Sequence, residues 1–232
     1  MKISIKRDKS FKNFKVEKVT NLLEALYQIL TTQDSTLTFD AGCRSGVCGC
    51  CSVRVNGKEK LACMVEVNNG DVIEPLRYYK VKKDLLVDKS KSLALLKREK
   101  ATITSYKEEI LNRDNEALTQ IQTDCILCSS CYSACPVVEI NPEFLGPFAL
   151  TRAYRYSVDK REKEPKNIID NIQNSGIWDC TLCNECTLAC PMGIDPKTDI
   201  VNLRNQSAKF GYTDPNFNNM SFGSGFGFDS GF

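Results

Sequence analysis

The chain has 232 residues, 42% of them hydrophobic and 26% charged, and a formal net charge of +2. This length and composition are typical of a soluble protein with one large or two small domains. The chain contains no histidine, which excludes His-ligated haem, Rieske centres, mixed Cys/His zinc sites and a histidine general base. We expect no membrane span and no secretion signal, because apolar runs stay short and the N-terminus alternates polar and apolar residues.

The first part of the chain reads as mixed α/β. Strands are predicted at residues 2–7 and 13–18, followed by a helix that Thr20 caps with Glu24 completing a capping box. The helix carries apolar residues at helical spacing: Leu22, Leu23, Leu26, Ile29 and Leu30. This order of two strands, helix, cysteine-rich loop and hairpin is that of a β-grasp ferredoxin.

The hairpin is predicted from a strand at Ser52–Val55 that enters Asn56-Gly57, a pair typical of a type I′ turn. The return strand runs from Lys58 towards Cys63. Another strand is expected at residues 72–74, after a turn rich in asparagine and glycine.

Residues 80–100 are charged and are predicted to bridge to a helical second part. Helical patterns cover residues 143–160 and 164–174, and Asn141-Pro142 and Asp195-Pro196 are predicted helix starts. Further apolar residues are spaced for helices packed on a core: Leu93, Leu95, Leu96, Ile110, Leu111, Leu118 and Ile121.

Twelve of the thirteen cysteines form three spaced sets. The first set, Cys43-x4-Cys48-x2-Cys51 with Cys63 on the return strand, has the plant-type [2Fe–2S] spacing. Gly46 and Gly49 let this loop fold inward so that its N–H groups can point at the sulfurs. Cys50 is left over, and the spacing predicts a small neighbour of the cluster rather than an alternative ligand.

The other two sets are bacterial ferredoxin runs of Cys-x2-Cys-x2-Cys-x3-Cys-Pro, which bind cubane clusters. Because the fourth cysteine of each run ligates the other cluster in two-cluster ferredoxins, we predict an exchange of fourth ligands. The first [4Fe–4S] cluster then takes Cys125, Cys128, Cys131 and Cys190. The second takes Cys180, Cys183, Cys186 and Cys135.

Two other uses of so many cysteines fit the spacing less well. Disulfide frameworks belong to small secreted chains and need no repeated spacing. Zinc sites use two separated Cys-x2-Cys pairs rather than four thiols at these spacings. With three clusters of about −2 each, the loaded protein carries roughly −4, which argues against nucleic-acid binding.

Residues about 2–212 resemble the iron–sulfur subunit of the succinate dehydrogenase/fumarate reductase family. The motifs are Cys43-Arg44-x-Gly46-Val47-Cys48-Gly49, Leu61-Ala62-Cys63, residues 75–88, 141–147 and 152–156, and Gly176-Ile177-Trp178-Asp179-Cys180. The resemblance implies an α+β fold: an N-terminal β-grasp [2Fe–2S] ferredoxin domain (residues 1–95), then an all-α bacterial-ferredoxin-like domain with two [4Fe–4S] clusters (residues 96–212).

The family's role implies that the chain relays electrons between a flavoprotein subunit, which binds FAD and the dicarboxylate, and a quinone-linked membrane subunit or one with Cys-Cys-Gly motifs. It is then an enzyme subunit with no catalytic residues of its own, attached to the membrane through partners. The cytoplasmic side is expected, with co-export as the alternative. The alternatives to this function are an iron–sulfur subunit of a heterodisulfide reductase or glycolate oxidase type complex, and a free polyferredoxin.

The chain departs from most of the family at two places. Relatives have an apolar residue at the position of Cys183 and bind a [3Fe–4S] cluster, so the added thiolate predicts [4Fe–4S] here. The usual quinone-site Trp and His are absent: Glu139 and Ile140 occupy one stretch and Thr181 the other. This pattern resembles the methylmenaquinol and thiol-linked fumarate reductases.

Residues 213–232 form a tail rich in glycine and phenylalanine. Glycine and serine oppose folding, while phenylalanine offers apolar anchors. The sequence is compatible with a disordered end and, alternatively, with a segment that docks on a membrane-side partner.

Overall fold

The computed structural model describes residues 1–100 and 102–215, and predictions for residues 216–232 lie outside this range. Strands dominate the first part and helices the second, as the α+β interpretation predicts. The strands are β1 (Lys2–Arg7), β2 (Ser10–Lys15), β3 (Ser52–Val55), β4 (Lys58–Leu61), β5 (Val72–Glu74), β6 (Lys80–Lys83) and β7 (Leu86–Asp88). The first two helices are α1 (Leu22–Thr32) and α2 (Ser90–Glu99).

The five-stranded sheet has the order β2-β1-β5-β3-β4. β1 and β5 are parallel, with Ile5 opposite Ile73, and the other pairs are antiparallel. Asn56 and Gly57 have φ of 51° and 80°, as a type I′ turn requires. The buried face of α1 and the sheet enclose one hydrophobic core, which also contains Cys51 and Cys63.

Two N-terminal boundaries differ from the prediction. β2 starts three residues earlier than expected, because Ser10 already pairs with Arg7 across a tight turn. The α1 cap is Asn21 rather than Thr20: the Asn21 side chain accepts from the Glu24 N–H, at 3.0 Å. Glu24 in turn accepts from the Thr20 N–H, at 2.8 Å.

The charged bridge is ordered. β6 and β7 form a two-stranded hairpin, which α2 follows. The predicted limit between the two domains, at residues 95 and 96, lies within this continuous helix. Leu76, Tyr79, Val87 and Leu95 join the core of the helical part, whereas Leu85 joins the core of the sheet. The predicted limits of the two domains stay a prediction, and this segment packs on both.

The second part is built around helix α7 (Pro147–Ser157), which packs against α10 (Pro196–Lys209), α8 (Pro165–Asn171) and α2. Phe144, Leu145 and Leu150 are fully buried there. The remaining helices are α3 (Arg113–Ala117), α4 (Gln120–Thr123), α5 (Ser130–Ala134), α6 (Val137–Ile140), α7 (Pro147–Ser157), α8 (Pro165–Asn171), α9 (Glu185–Leu188) and α10 (Pro196–Lys209).

Several side chains predicted to be core residues are exposed. Ile110 is 90% exposed, and Leu118 and Ile121 are each 46% exposed. Leu93 also faces outward, while Leu95 is buried. For Leu118 and Ile121 the reason is that α3 and α4 have only five and four residues, too short for a continuous buried stripe. Ile110 lies outside any helix, before α3 begins at Arg113.

One of the two predicted helix starts is wrong. Asn141 is the C-cap of α6, and α7 begins only at Pro147, after Gly146 with φ of 85°. The other start is confirmed: Pro196 is the first residue of α10, and the Asp195 side chain accepts from the Thr198 N–H at 3.1 Å.

A buried carboxyl makes the stability of the helical part depend on pH. Asp199 accepts hydrogen bonds from Gln122 (2.8 Å) and Thr151 (2.9 Å), and burial raises its pKa to about 6. Since the unfolded chain ionises at a lower pH, this contribution is complete below the unfolded pKa and is lost as pH rises through about 6. In Asp199→Asn, the amide oxygen still accepts from Gln122, and the amide N–H can donate to the Thr151 hydroxyl in place of the bond it now accepts. We expect this variant to raise the apparent melting temperature at pH 7.5 by at least about 3 °C.

The pH dependence distinguishes a gain that comes from the ionisation of Asp199 from a stabilisation that is the same at every pH. The gain should shrink as the pH falls from 7.5 to 5, measured by thermal loss of visible absorbance. Asp195→Asn is the matched control on the same helix, because that carboxylate accepts from Thr187 and Thr198 and should give no gain. A gain for Asp199→Asn that is equal at pH 5 and pH 7.5 would contradict the prediction.

Candidate functional site: three cysteine sets

The first cysteine set lies on the loop between α1 and β3, with Cys63 just after β4. Cys43 is exposed and Cys48 half-buried, while Cys51 and Cys63 are buried. The structure therefore brings the four predicted ligands to one end of the sheet.

Backbone N–H groups of this loop point at the sulfurs, as the sequence analysis predicts. The Cys43 sulfur accepts from the N–H groups of Ser45 and Val47, each at 3.4 Å, and the Cys48 sulfur accepts from the Cys43 N–H at 3.3 Å. Arg44 and Gly46 have φ of 62° and 78°, which turns these N–H groups inward. Such hydrogen bonds favour negatively charged sulfur.

The ionisation of these thiols follows their surroundings. The N–H groups of Ser45 and Val47 lower the pKa of Cys43 to about 6. Burial raises the pKa of Cys51 to about 11, so this thiol becomes a thiolate only with a compensating positive charge nearby. An iron ion bound at this thiol would supply that charge, since metal binding displaces the thiol proton.

Cys50, the leftover thiol, is half-buried beside the predicted ligands. Its sulfur lies 3.8 Å from the carbonyl oxygen of Cys48. A hydrogen bond with Cys48 and burial both raise the pKa of Cys50. Its assignment as a neighbour rather than a ligand stays a prediction.

The two ferredoxin runs have the same backbone shape, 55 positions apart. Leu127 and Leu182 have φ of 52° and 56°, and Ser129 and Asn184 have φ of 72° and 75°. The loop at Leu182 directs its N–H at the Cys180 sulfur, 3.4 Å away, and Leu127 hydrogen-bonds Cys125 in the same manner. The sequence repeat is therefore also a structural repeat.

The fourth cysteine of each run lies with the other run. One partly open, largely apolar cavity is lined by the following cysteines: Cys125, Cys128, Cys131 and Cys190. On the other side, the charges of Cys180 and Cys183 raise the pKa of Cys135, so these sulfurs are near one another. The neighbours found here are those that the exchanged ligand sets require, and the ligand assignment itself stays a prediction.

Burial dominates the ionisation of these thiols. It raises the pKa of Cys131 well above its usual range, that of Cys135 to about 11 and that of Cys186 to about 12. Four thiols around an apolar cavity fit an iron–sulfur cluster, which needs thiolate donors and little water. Among residues 1–100 and 102–215, no group of three or more histidine, cysteine or acidic side chains is arranged to hold a single metal ion.

The first and second cysteine sets are in contact. Gly49 has φ of 69°, and a Cβ there would lie 2.9 Å from Cα and Cβ of Cys128 and from the carbonyl oxygen of Ile126. Only glycine allows this approach of two backbones. The second and third sets are neighbours as well, since the charge of Cys186 contributes to the raised pKa of the buried Cys131.

Sequence reasoning missed Arg204 on α10. Its guanidinium donates to the carbonyl oxygens of Ile177 (2.7 Å) and Cys180 (2.6 Å) and lies 5.5 Å from the centroid of the Trp178 ring. It thereby holds the start of the third cysteine loop against α10. The sequence does show an arginine about two turns into the helix that follows Cys190-Pro191. Only the fold shows which groups this arginine contacts.

Comparison with known proteins identifies both halves. Residues 2–94 match the family described as 2Fe-2S iron-sulfur cluster binding domain, and residues 121–194 match the 4Fe-4S dicluster domain. The chain is 37% identical over 206 residues to the 8-methylmenaquinol:fumarate reductase iron-sulfur subunit of Wolinella succinogenes, covering 82% of this chain and 65% of that protein. It thus spans slightly less than two thirds of that relative's length.

Other relatives are covered more completely. The fumarate reductase iron-sulfur subunit of Mycobacterium tuberculosis is 37% identical, with 75% of this chain and 76% of the relative covered. That of Haemophilus influenzae is 35% identical, with 82% of each covered. A chain of the Mycobacterium smegmatis Sdh1 complex in the apo form has the same fold, with a TM-score of 0.78, 21% identity and coverage of 91% and 97% of the two chains. Within residues 1–100 and 102–215, no helix has the length and apolarity to cross a membrane.

Proposed function

Since the chain belongs to the family of fumarate reductase and succinate dehydrogenase iron–sulfur subunits, we propose that it transfers electrons between a flavoprotein subunit and a quinone-linked subunit. Iron–sulfur clusters bound at the three cysteine sets supply one-electron chemistry. The chain holds these sites next to one another and leaves only Cys43 and Cys183 of the predicted ligands exposed.

The order of the three sites in space supports this proposal most strongly. Gly49 of the first loop touches Cys128 of the second set, and Cys131 of that set lies near Cys186 of the third. The three sites thus form a series that runs from the sheet to the helical part. The chain is then one subunit of a quinone-linked oxidoreductase, with the dicarboxylate site and FAD in the flavoprotein partner.

We assign one [2Fe–2S] and two [4Fe–4S] clusters, with the ligand sets of the sequence analysis. Cys183 is exposed, and its charge raises the pKa of Cys135, which supports Cys183 as the fourth donor of the last site. This favours a cubane over the three-iron cluster of most relatives. The similarity to a methylmenaquinol-linked relative supports assignment to that subtype.

The location follows from the partners. We propose peripheral attachment to the membrane through the quinone-linked subunit, on the cytoplasmic side. In this position the complex serves anaerobic respiration or the tricarboxylic acid cycle, according to the direction of electron flow.

Anaerobic purification of the tagged chain tests the function. We expect a flavin-containing subunit to co-purify, about ten iron atoms and about ten labile sulfides per chain, and reoxidation of the reduced clusters by fumarate. About nine iron atoms with the EPR signal of an oxidised three-iron cluster would contradict the last cluster assignment. A cluster-loaded chain that elutes alone would indicate a free carrier, and a colourless chain with zinc would overturn the proposal.

A further inference from the structure

A lysine lies where the first and second cysteine sets touch. Lys89 stands between β7 and α2 and is half-buried. Its ammonium donates to the carbonyl oxygen of Gly49 at 3.1 Å and to that of Cys128 at 3.4 Å. One cation therefore holds both cysteine loops at the point of their backbone contact.

The charge of this lysine is not neutralised by an ion pair with any carboxylate of residues 1–100 and 102–215. Asp40 lines the same small cavity as Lys89, together with Cys50 and Cys51, but the two form no ion pair. Solvent screens the charge of a half-buried ammonium less than that of a fully exposed lysine. Its field therefore acts on whatever charge the two cysteine sets acquire.

We propose that Lys89 is a positioning residue for electron transfer between the first two clusters, an inference that rests on the proposed function. Its two hydrogen bonds hold the loops of Gly49 and Cys128 in contact. Its charge stabilises the reduced state at both sites. No other cation among the described residues donates to both loops.

The step itself is a one-electron exchange. One site loses an electron and is oxidised while its neighbour gains that electron and is reduced, so the total charge is unchanged. Reduction of either site from an external donor adds one negative charge near the ammonium. Loss of the ammonium should then lower the equilibrium constant for reduction at both sites by about three- to tenfold, and tenfold equals about 59 mV.

The test is an EPR-monitored redox titration of the anaerobically purified complex carrying Lys89→Met. We expect lower midpoint potentials for the [2Fe–2S] cluster and the adjacent [4Fe–4S] cluster, and an unchanged potential for the last cluster. Lys89→Arg, which keeps a positive charge, should have the wild-type potentials at both clusters. Lys97→Met is the matched control, since Lys97 is an exposed lysine on α2, and it should change none of them.

The outcomes separate this inference from the proposed function. A wild-type complex without labile sulfide would refute the function itself. Wild-type clusters with the same potentials in Lys89→Met and Lys97→Met would refute only the role of Lys89. If Lys89→Met fails to assemble, Lys89→Gln, which can still donate a hydrogen bond, is titrated instead, and unchanged potentials there would overturn the inference.

Discussion

Replacing Cys190 with alanine should remove the cluster proposed for Cys125, Cys128 and Cys131, although Cys190 belongs to the other ferredoxin run. The reason is the shared cavity, which these four cysteines line together. Cys135→Ala should instead remove the cluster of the last run. Each variant is expected to lose about four iron atoms, or about one if a three-iron cluster remains.

The contact of the first two loops allows the affected cluster to be identified. Because Gly49 touches Cys128, magnetic coupling should broaden the [2Fe–2S] signal when its neighbour is reduced. Cys190→Ala should abolish that broadening, whereas Cys135→Ala should leave it. The reverse result would show that each run supplies all four ligands of its own cluster and would refute the exchanged assignment.

A side chain at Gly49 should separate the first cluster from the second. In Gly49→Ala, a Cβ would lie 2.9 Å from Cα and Cβ of Cys128 and from the carbonyl oxygen of Ile126, on a residue with φ of 69°. Neither backbone can move freely, since Cys128 is buried in the core. We expect a loss of roughly 2–5 kcal/mol of stability and a slower electron transfer between the two sites.

Gly57→Ala is the matched control for the backbone penalty. Gly57 also has a positive φ, 80°, but a Cβ there would meet only the end of the Arg54 side chain at 3.7 Å. This variant should lose about 1–2 kcal/mol and keep the transfer rate. Thermal loss of visible absorbance and freeze-quench EPR measure the two quantities. Equal effects of both substitutions would show that the loops are not in contact in solution.

The local structure around the cysteines was well predicted where a short motif carries it. Asn56-Gly57 predicted the hairpin because both residues tolerate positive φ, and the cluster loop was correctly placed before it. The core was predicted less well. Ile110, Leu118 and Ile121 have helical spacing, yet the neighbouring helices are too short to bury them. Hydrophobic periodicity indicates that a segment could form a helix with an apolar face, but it does not show whether another element covers that face.

The left-handed turns in the ferredoxin runs were not predicted. Leu127 and Leu182 are poor candidates for positive φ by residue type, but both adopt it so that an N–H can reach a cysteine sulfur. The only sequence signal was the repeat itself. Hydrogen bonds to the cysteine sulfurs therefore outweigh the low intrinsic propensity of leucine for positive φ.

The number of cysteine sets, their spacing and the pairing of hairpin strands follow from the amino-acid sequence alone, because each depends on residues close together in the chain. The proximity of Cys190 to Cys125, Cys128 and Cys131, the Gly49–Cys128 contact and the site of the Lys89 ammonium depend on tertiary structure. These contacts join segments far apart in the chain, and the free energy that brings such segments together comes from packing of the whole core.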